Sequence, residues 1–237
     1  MNYLILTFTC VLIFAPELSF SSKCKKSEDA KVDSCAQRLF LFGDRSSVGF
    51  PETEDGLRNY CSLAKETEKC IKDYSRRCLA AFPRQVTNLL VYGIANQQKK
   101  YCKKGGSDII QHGKCGNSDL EKGHQCMDVY IDDLYGIQET EDSDKKIPFV
   151  CCSFYKFKRC VVSNLRRQKS SCSRDAVTFY AGLIHGIAAD VLELICAEYK
   201  ENSTACGEIN KSLPTRKAET TKSKSILPPF TAIMESL

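Results

Sequence analysis

Apolar positions recur every three or four residues along most of the chain, and alternation with a period of two is nearly absent. Leu57, Tyr60, Ala64, Thr67, Ile71, Tyr74 and Cys78 mark one face of a helix. Thr53 stands before it as an N-cap, with Glu54 and Asp55 in the first turn and Arg76 and Arg77 in the last, signs that suit the helix dipole. Pro83 is acceptable as a first helical residue and opens a second helix that stops at Gly105-Gly106. Further on, Pro148 opens a helix through about Leu165. Ser173 caps the next, where Ala176, Tyr180, Leu183, Ile187, Val191 and Leu194 form a long apolar stripe. The pattern predicts an all-α chain of helical hairpins.

The chain's beginning differs. Leu4 to Ala15 is an unbroken apolar run, short for a membrane span but the size of a signal-peptide core, although no positive charge precedes it. Ser19-Phe20-Ser21 then suits cleavage after Ser21, so residues 1–21 read as a signal peptide and the chain as secreted. No other apolar stretch reads as long enough to span a membrane. Of 15 cysteines, Cys10 lies in the apolar run, which leaves 14. An even set in an exported chain reads as disulfides, and no CxxC pair supplies a zinc-ribbon or thioredoxin element. Loss of Glu17 with the signal moves the net charge from +5 to +6, and +3 of that lies from Lys211 onward. The folded part is only mildly basic, which argues for no nucleic-acid partner.

The cysteine spacing repeats. Cys35, Cys61, Cys70, Cys78, Cys102 and Cys115 stand at steps of 26, 9, 8, 24 and 13. Cys126, Cys152, Cys160, Cys172, Cys196 and Cys206 stand at steps of 26, 8, 12, 24 and 10. This predicts two diverged tandem six-cysteine modules, 22–115 with an N-terminal segment and 126–206. Both copies carry Gly-Ile-Ala, at Gly93-Ile94-Ala95 and Gly186-Ile187-Ala188. Residues equally far from the turn of an antiparallel hairpin face each other, which predicts the bridges Cys61–Cys102 and Cys152–Cys196. Each closes about 40 residues, worth roughly 4 kcal/mol in the chain-entropy model. The leftover pair, Cys24 and Cys151, would then tie the N-terminal segment to the second module. Cys151, about 100° around a helix from Cys152, is the competing partner for Cys196.

Polar residues 116–125 read as the inter-module linker, and 207–237 as a flexible Lys/Ser/Thr-rich tail. The tail's apolar piece, Ile226 to Met234, is interrupted by Pro228-Pro229 and is too short for a lipid-anchor signal. Asn202-Ser203-Thr204 and Asn210-Lys211-Ser212 are N-glycosylation sequons.

The run Phe50-Pro51-x-Thr53, Tyr60-Cys61, Cys70-Ile71-Lys72-Asp73-Tyr74-Ser75-Arg76-Arg77-Cys78-Leu79 and Arg84-Gln85 resembles a large group of secreted, cysteine-rich helical proteins of arthropods, arachnids especially. The likeness covers roughly Cys35 to Cys115; the second module shares only its cysteines and helical pattern. It implies an extracellular helical disulfide fold and a venom, salivary or haemolymph setting, and carries no catalytic or binding residues.

Chemistry-bearing constellations are sparse. His112 and His124 read as lying in Gly-containing polar loops, and His185 in the apolar helix as a partly buried structural histidine. No Gly-x-Ser-x-Gly elbow or His-Glu-x-x-His helix occurs, and the residues after Cys151-Cys152 lack the His-Asp of a secreted phospholipase. The reading is therefore no enzyme, no metal and no cofactor. Glu139, Glu141, Asp142 and Asp144 lack the EF-hand order and read as a solvated acidic loop. Lys99, Lys100, Lys103 and Lys104 read as a solvated helix end, with an anionic glycan or lipid surface as the functional alternative. The expectation is a secreted interaction protein whose partner is an extracellular protein, glycan or lipid. The alternative is an extracellular carrier of a small apolar ligand.

Overall fold

The computed structural model describes residues 24, 26–39, 45, 49–104, 106–217 and 222–237; residues 1–21, read from the sequence as a signal peptide and including Cys10, lie outside them. The described residues are helical, without a strand. The helices are α1 (Lys26–Ala36), α2 (Glu54–Cys78), α3 (Ala81–Lys99), α4 (Gly106–Asn117), α5 (Leu120–Gln138), α6 (Ser143–Arg167), α7 (Arg174–Ile195), α8 (Thr204–Ile209) and α9 (Leu227–Glu235). A 3-10 turn, Gln37–Leu39, follows α1, and a π-helical turn, Lys100–Lys104, follows α3.

The caps read from sequence are in place. Thr53 Oγ1 accepts from the Gly56 N–H at 3.1 Å, and Ser173 Oγ accepts from the Ala176 N–H at 3.1 Å. The two prolines sit deeper than expected. Pro83 is the third residue of α3, which starts at Ala81, and Pro148 lies inside α6, which starts at Ser143. A proline in a first turn gives up an N–H that has no intrahelical partner.

Helices α1–α4 and α5–α8 form two sets whose first three members match in several respects, whereas α4 has 12 residues and α8 only 6. The second helix of each set is 25 residues long, and the third is 19 in one set and 22 in the other. Cys35–Cys70 joins α1 to α2, and Cys126–Cys160 joins α5 to α6. Cys61–Cys102 ties α2 to the end of α3, as the hairpin symmetry predicts, and Cys151–Cys196 ties α6 to the end of α7.

Three expectations about the frame need correction. Cys196 bonds Cys151, and Cys152 bonds Cys206 instead. Cys24 bonds Cys78, so it does not hold the N-terminal segment to the second set. The physical reason is register within a helix. Cys151 stands nine residues before Cys160, as Cys61 stands nine before Cys70. One inserted residue would turn a side chain by about 100°, so spacing along a continuous helix is fixed while loops drift. The sets are also not separate units on a linker. α4 runs to Asn117 and α5 starts at Leu120, and Cys115–Cys172 crosses between the sets.

One apolar core runs through both sets, and α3 packs along α7 at its centre. The two Gly-Ile-Ala segments meet there. A Cβ on Gly93 would stand 2.3 Å from the Ile187 carbonyl oxygen, and one on Gly186 would stand 2.1 Å from Gln97 Nε2. Glycine is required at Gly93, where the close atoms are backbone, whereas at Gly186 it makes room for the end of the Gln97 side chain. α7 is long and apolar enough by composition to cross a membrane, contrary to the sequence reading, but here Ala176, Tyr180, Leu183 and Val191 of its stripe are buried, α7 packing on α3 and α6, and Leu194 is exposed.

The end of the chain is not a loose tail. Pro228 and Pro229 start α9 rather than interrupt it. Leu227, Phe230, Ile233 and Met234 are buried against α5, α3 and α1. The segment before α9 is pinned by polar contacts. Arg216 and Lys222 pair with Asp132, and the Lys224 and Ser225 N–H groups donate to Asp33.

Candidate functional site

The 25 residues of α2 bury one narrow face, namely Ala64, Thr67, Ile71, Tyr74, Ser75 and Cys78. Away from that face stand Lys65, Lys69, Lys72 and Arg76, spaced four, three and four residues apart. At 100° per residue they fall within about 60° of one another around the helix. Beside them, the first turns of α3 bring Arg84 and Asn88. Together with Glu68 and Asp73, these residues line an open groove of about 720 Å³ between α2 and α3. Five cations face two carboxylates there.

The pairing inside the groove is uneven. Lys72 Nζ lies 2.6 Å from Glu68 and Arg76 lies 3.1 Å from Asp73, both exposed pairs within one helix. Such pairs contribute little to stability and exchange readily. Lys65, Lys69 and Arg84 have no ion pair among the described residues. Asn88 is fixed from beneath, where its Oδ1 accepts from the buried Ser75 hydroxyl at 3.1 Å. A second hollow of about 550 Å³ lies on the other flank of α2, against α1. Its charges are more balanced. Arg77 donates to Glu28 there and holds that carboxyl below its ordinary range. The groove between α2 and α3 therefore has the stronger positive field, and its chemistry suits groups that accept hydrogen bonds and carry negative charge.

This site was missed in the sequence because the basic residues are not adjacent. The consecutive Lys99-Lys100 run is the conspicuous basic feature of the sequence, whereas the signal for the groove is the helical period of Lys65, Lys69, Lys72 and Arg76. Lys99 and Lys100 are exposed at the far end of α3. Of the acidic loop, Asp142 precedes α6 and pairs with Lys145, and Glu139 accepts from the Lys217 N–H.

The other singled-out residues do not converge on the groove. His124 is buried in α5 and His112 lies in α4, so neither is in a loop, while His185 is exposed on α7. Asn202 is exposed just before α8, where Ser203 caps the helix by accepting from the Cys206 N–H. Asn210 ends α8, half-buried, with its Oδ1 enclosed and without a partner. No group of three metal-ligating side chains occurs among the described residues. An apolar cavity under α9, lined by Leu90, Tyr130, Phe154, Leu192, Ile226 and Phe230, holds about 30 Å³. That is room for roughly one water-sized body and not for a lipid chain. Compared with protein-family models, curated proteins and solved structures, the chain matches none.

Proposed function

We propose that the chain is a secreted protein, built from two diverged copies of one helical module, that works outside the cell by holding an anionic ligand in the groove between α2 and α3. One observation carries the reading: three cations, Lys65, Lys69 and Arg84, stand unpaired in a concave site on a rigid frame. Unpaired cations gathered on one wall repel each other, and an anion relieves that repulsion. Seven disulfides support the extracellular setting, since such density is typical of oxidising compartments. The arthropod-type resemblance agrees with it, and it lies on the half of the chain that carries the groove. The matching helices and bridges of the two sets support the duplication.

The test is retention of the oxidised protein on immobilised heparin. The expected result is binding that salt reverses, and loss of retention in Lys69→Glu/Arg84→Glu with an unchanged circular dichroism spectrum. A double variant retained as strongly as the parent would rule the groove out as the anion site.

A further inference from the structure

We infer that the ligand of this groove is an extended sulfated glycan chain rather than a single compact anion. The inference rests on the groove being the binding site and concerns what fits it.

Spacing is the first argument. Along α2 the basic residues rise by about 6 Å from Lys65 to Lys69, by about 10 Å to Lys72 and by about 16 Å to Arg76. Arg84 lies at the Arg76 end. The chain turns between Cys78 and Ala81, and Asn88, one turn beyond Arg84, bonds to Ser75. The unpaired cations therefore stand at both ends of the groove, Lys65 and Lys69 at one and Arg84 at the other. One phosphate or sulfate reaches a single end. A chain with anionic groups several ångströms apart reaches both, and recruits Lys72 and Arg76 by exchange with Glu68 and Asp73.

The lining decides the class of chain. Among the described residues it contains no aromatic ring, so single-stranded nucleic acid finds no stacking platform there. The described lining residues include no apolar side chain, and the walls are two helices around a hollow, so a flat bilayer gains neither insertion nor full contact. Asn88 supplies the neutral polar contact that hydroxyl-rich sugars accept.

The experiment measures affinity of the full oxidised chain for heparin oligosaccharides of increasing length, for inorganic sulfate, for a single-stranded homopolymer DNA and for phosphatidylserine vesicles. Affinity is expected to rise at least tenfold from the disaccharide to oligosaccharides that span the groove. Lys65→Gln removes the far contact, so it should flatten that rise by lowering affinity for the groove-spanning oligosaccharides several-fold more than for the disaccharide. Equal affinity for sulfate and for every oligosaccharide would overturn the extended chain while leaving an anion site in the groove. Tighter binding of DNA or vesicles than of the longest oligosaccharide would overturn the glycan assignment. No binding of any probe would overturn both the inference and the reading beneath it.

Discussion

α2 and α6 are the same length and carry cysteines in the same register, yet α2 buries six residues and α6 buries fourteen. Position by position, Lys65, Lys69, Lys72 and Arg76 correspond to Tyr155, Arg159, Val162 and Arg166, and Tyr155 and Val162 are buried. Two neighbours make the difference. α5 covers α6 with 19 residues where α1 covers α2 with 11. The spare cysteine beside Cys151 clamps α8 onto α6 through Cys206, and Glu201 nearby accepts from Lys158 at 2.7 Å and, through its carbonyl, from Arg159. The first set spends its spare cysteine at the chain's start, in Cys24–Cys78, and leaves the outer face of α2 open. A shared frame thus carries one helix as core and its counterpart as surface.

The largest effect expected from this contrast is a reciprocal swap. Val162→Lys puts a charge into a buried site without a partner and should cost about 4 kcal/mol in denaturant unfolding. Lys72→Val, at the equivalent exposed position, should stay within about 0.5 kcal/mol. Equal costs would mean that α2 is as enclosed as α6. Next come the matched bridges. Cys61–Cys102 and Cys151–Cys196 span 41 and 45 residues. Replacing either pair by alanine should cost about 4 kcal/mol, because chain entropy changes little between such loops. A difference well above 1 kcal/mol in thermal or chemical unfolding would show that the two sets are not braced alike. The smallest effect concerns Thr87 of α3, which is fully buried with its hydroxyl unpartnered. Thr87→Val removes that polar atom at nearly constant volume and should stabilise the protein by about 1 kcal/mol. A loss of stability there would reveal a hydrogen-bond partner for Thr87.

What the sequence made legible followed from local rules, and what it hid depended on packing. The amphipathic stripe of α2 and the caps Thr53 and Ser173 are local features, and they were readable. Cys61–Cys102 was readable because a hairpin turn fixes which residues face. The choice between Cys151 and Cys152 was readable in principle, since nine residues separate both Cys61 from Cys70 and Cys151 from Cys160. Agreement across loops, where lengths drift, outweighed agreement along a helix, where they do not. α9 was hidden because its apolar residues look like a broken run until a groove of α1, α3 and α5 receives them. The basic groove needed both the helical period on α2 and the neighbour that supplies Arg84.

The central claim is that anion binding belongs to the open α2 face and not to basic charge in general. Two variants with equal loss of charge test it: Lys65→Glu/Lys69→Glu/Arg84→Glu in the groove, and Arg166→Glu/Lys169→Glu/Lys200→Glu on exposed sites of the second set. Heparin affinity measured by calorimetry at one salt concentration should fall by at least a hundredfold in the first and by less than threefold in the second. Equal losses in the two variants would contradict the account, because net charge and not the groove would then hold the ligand.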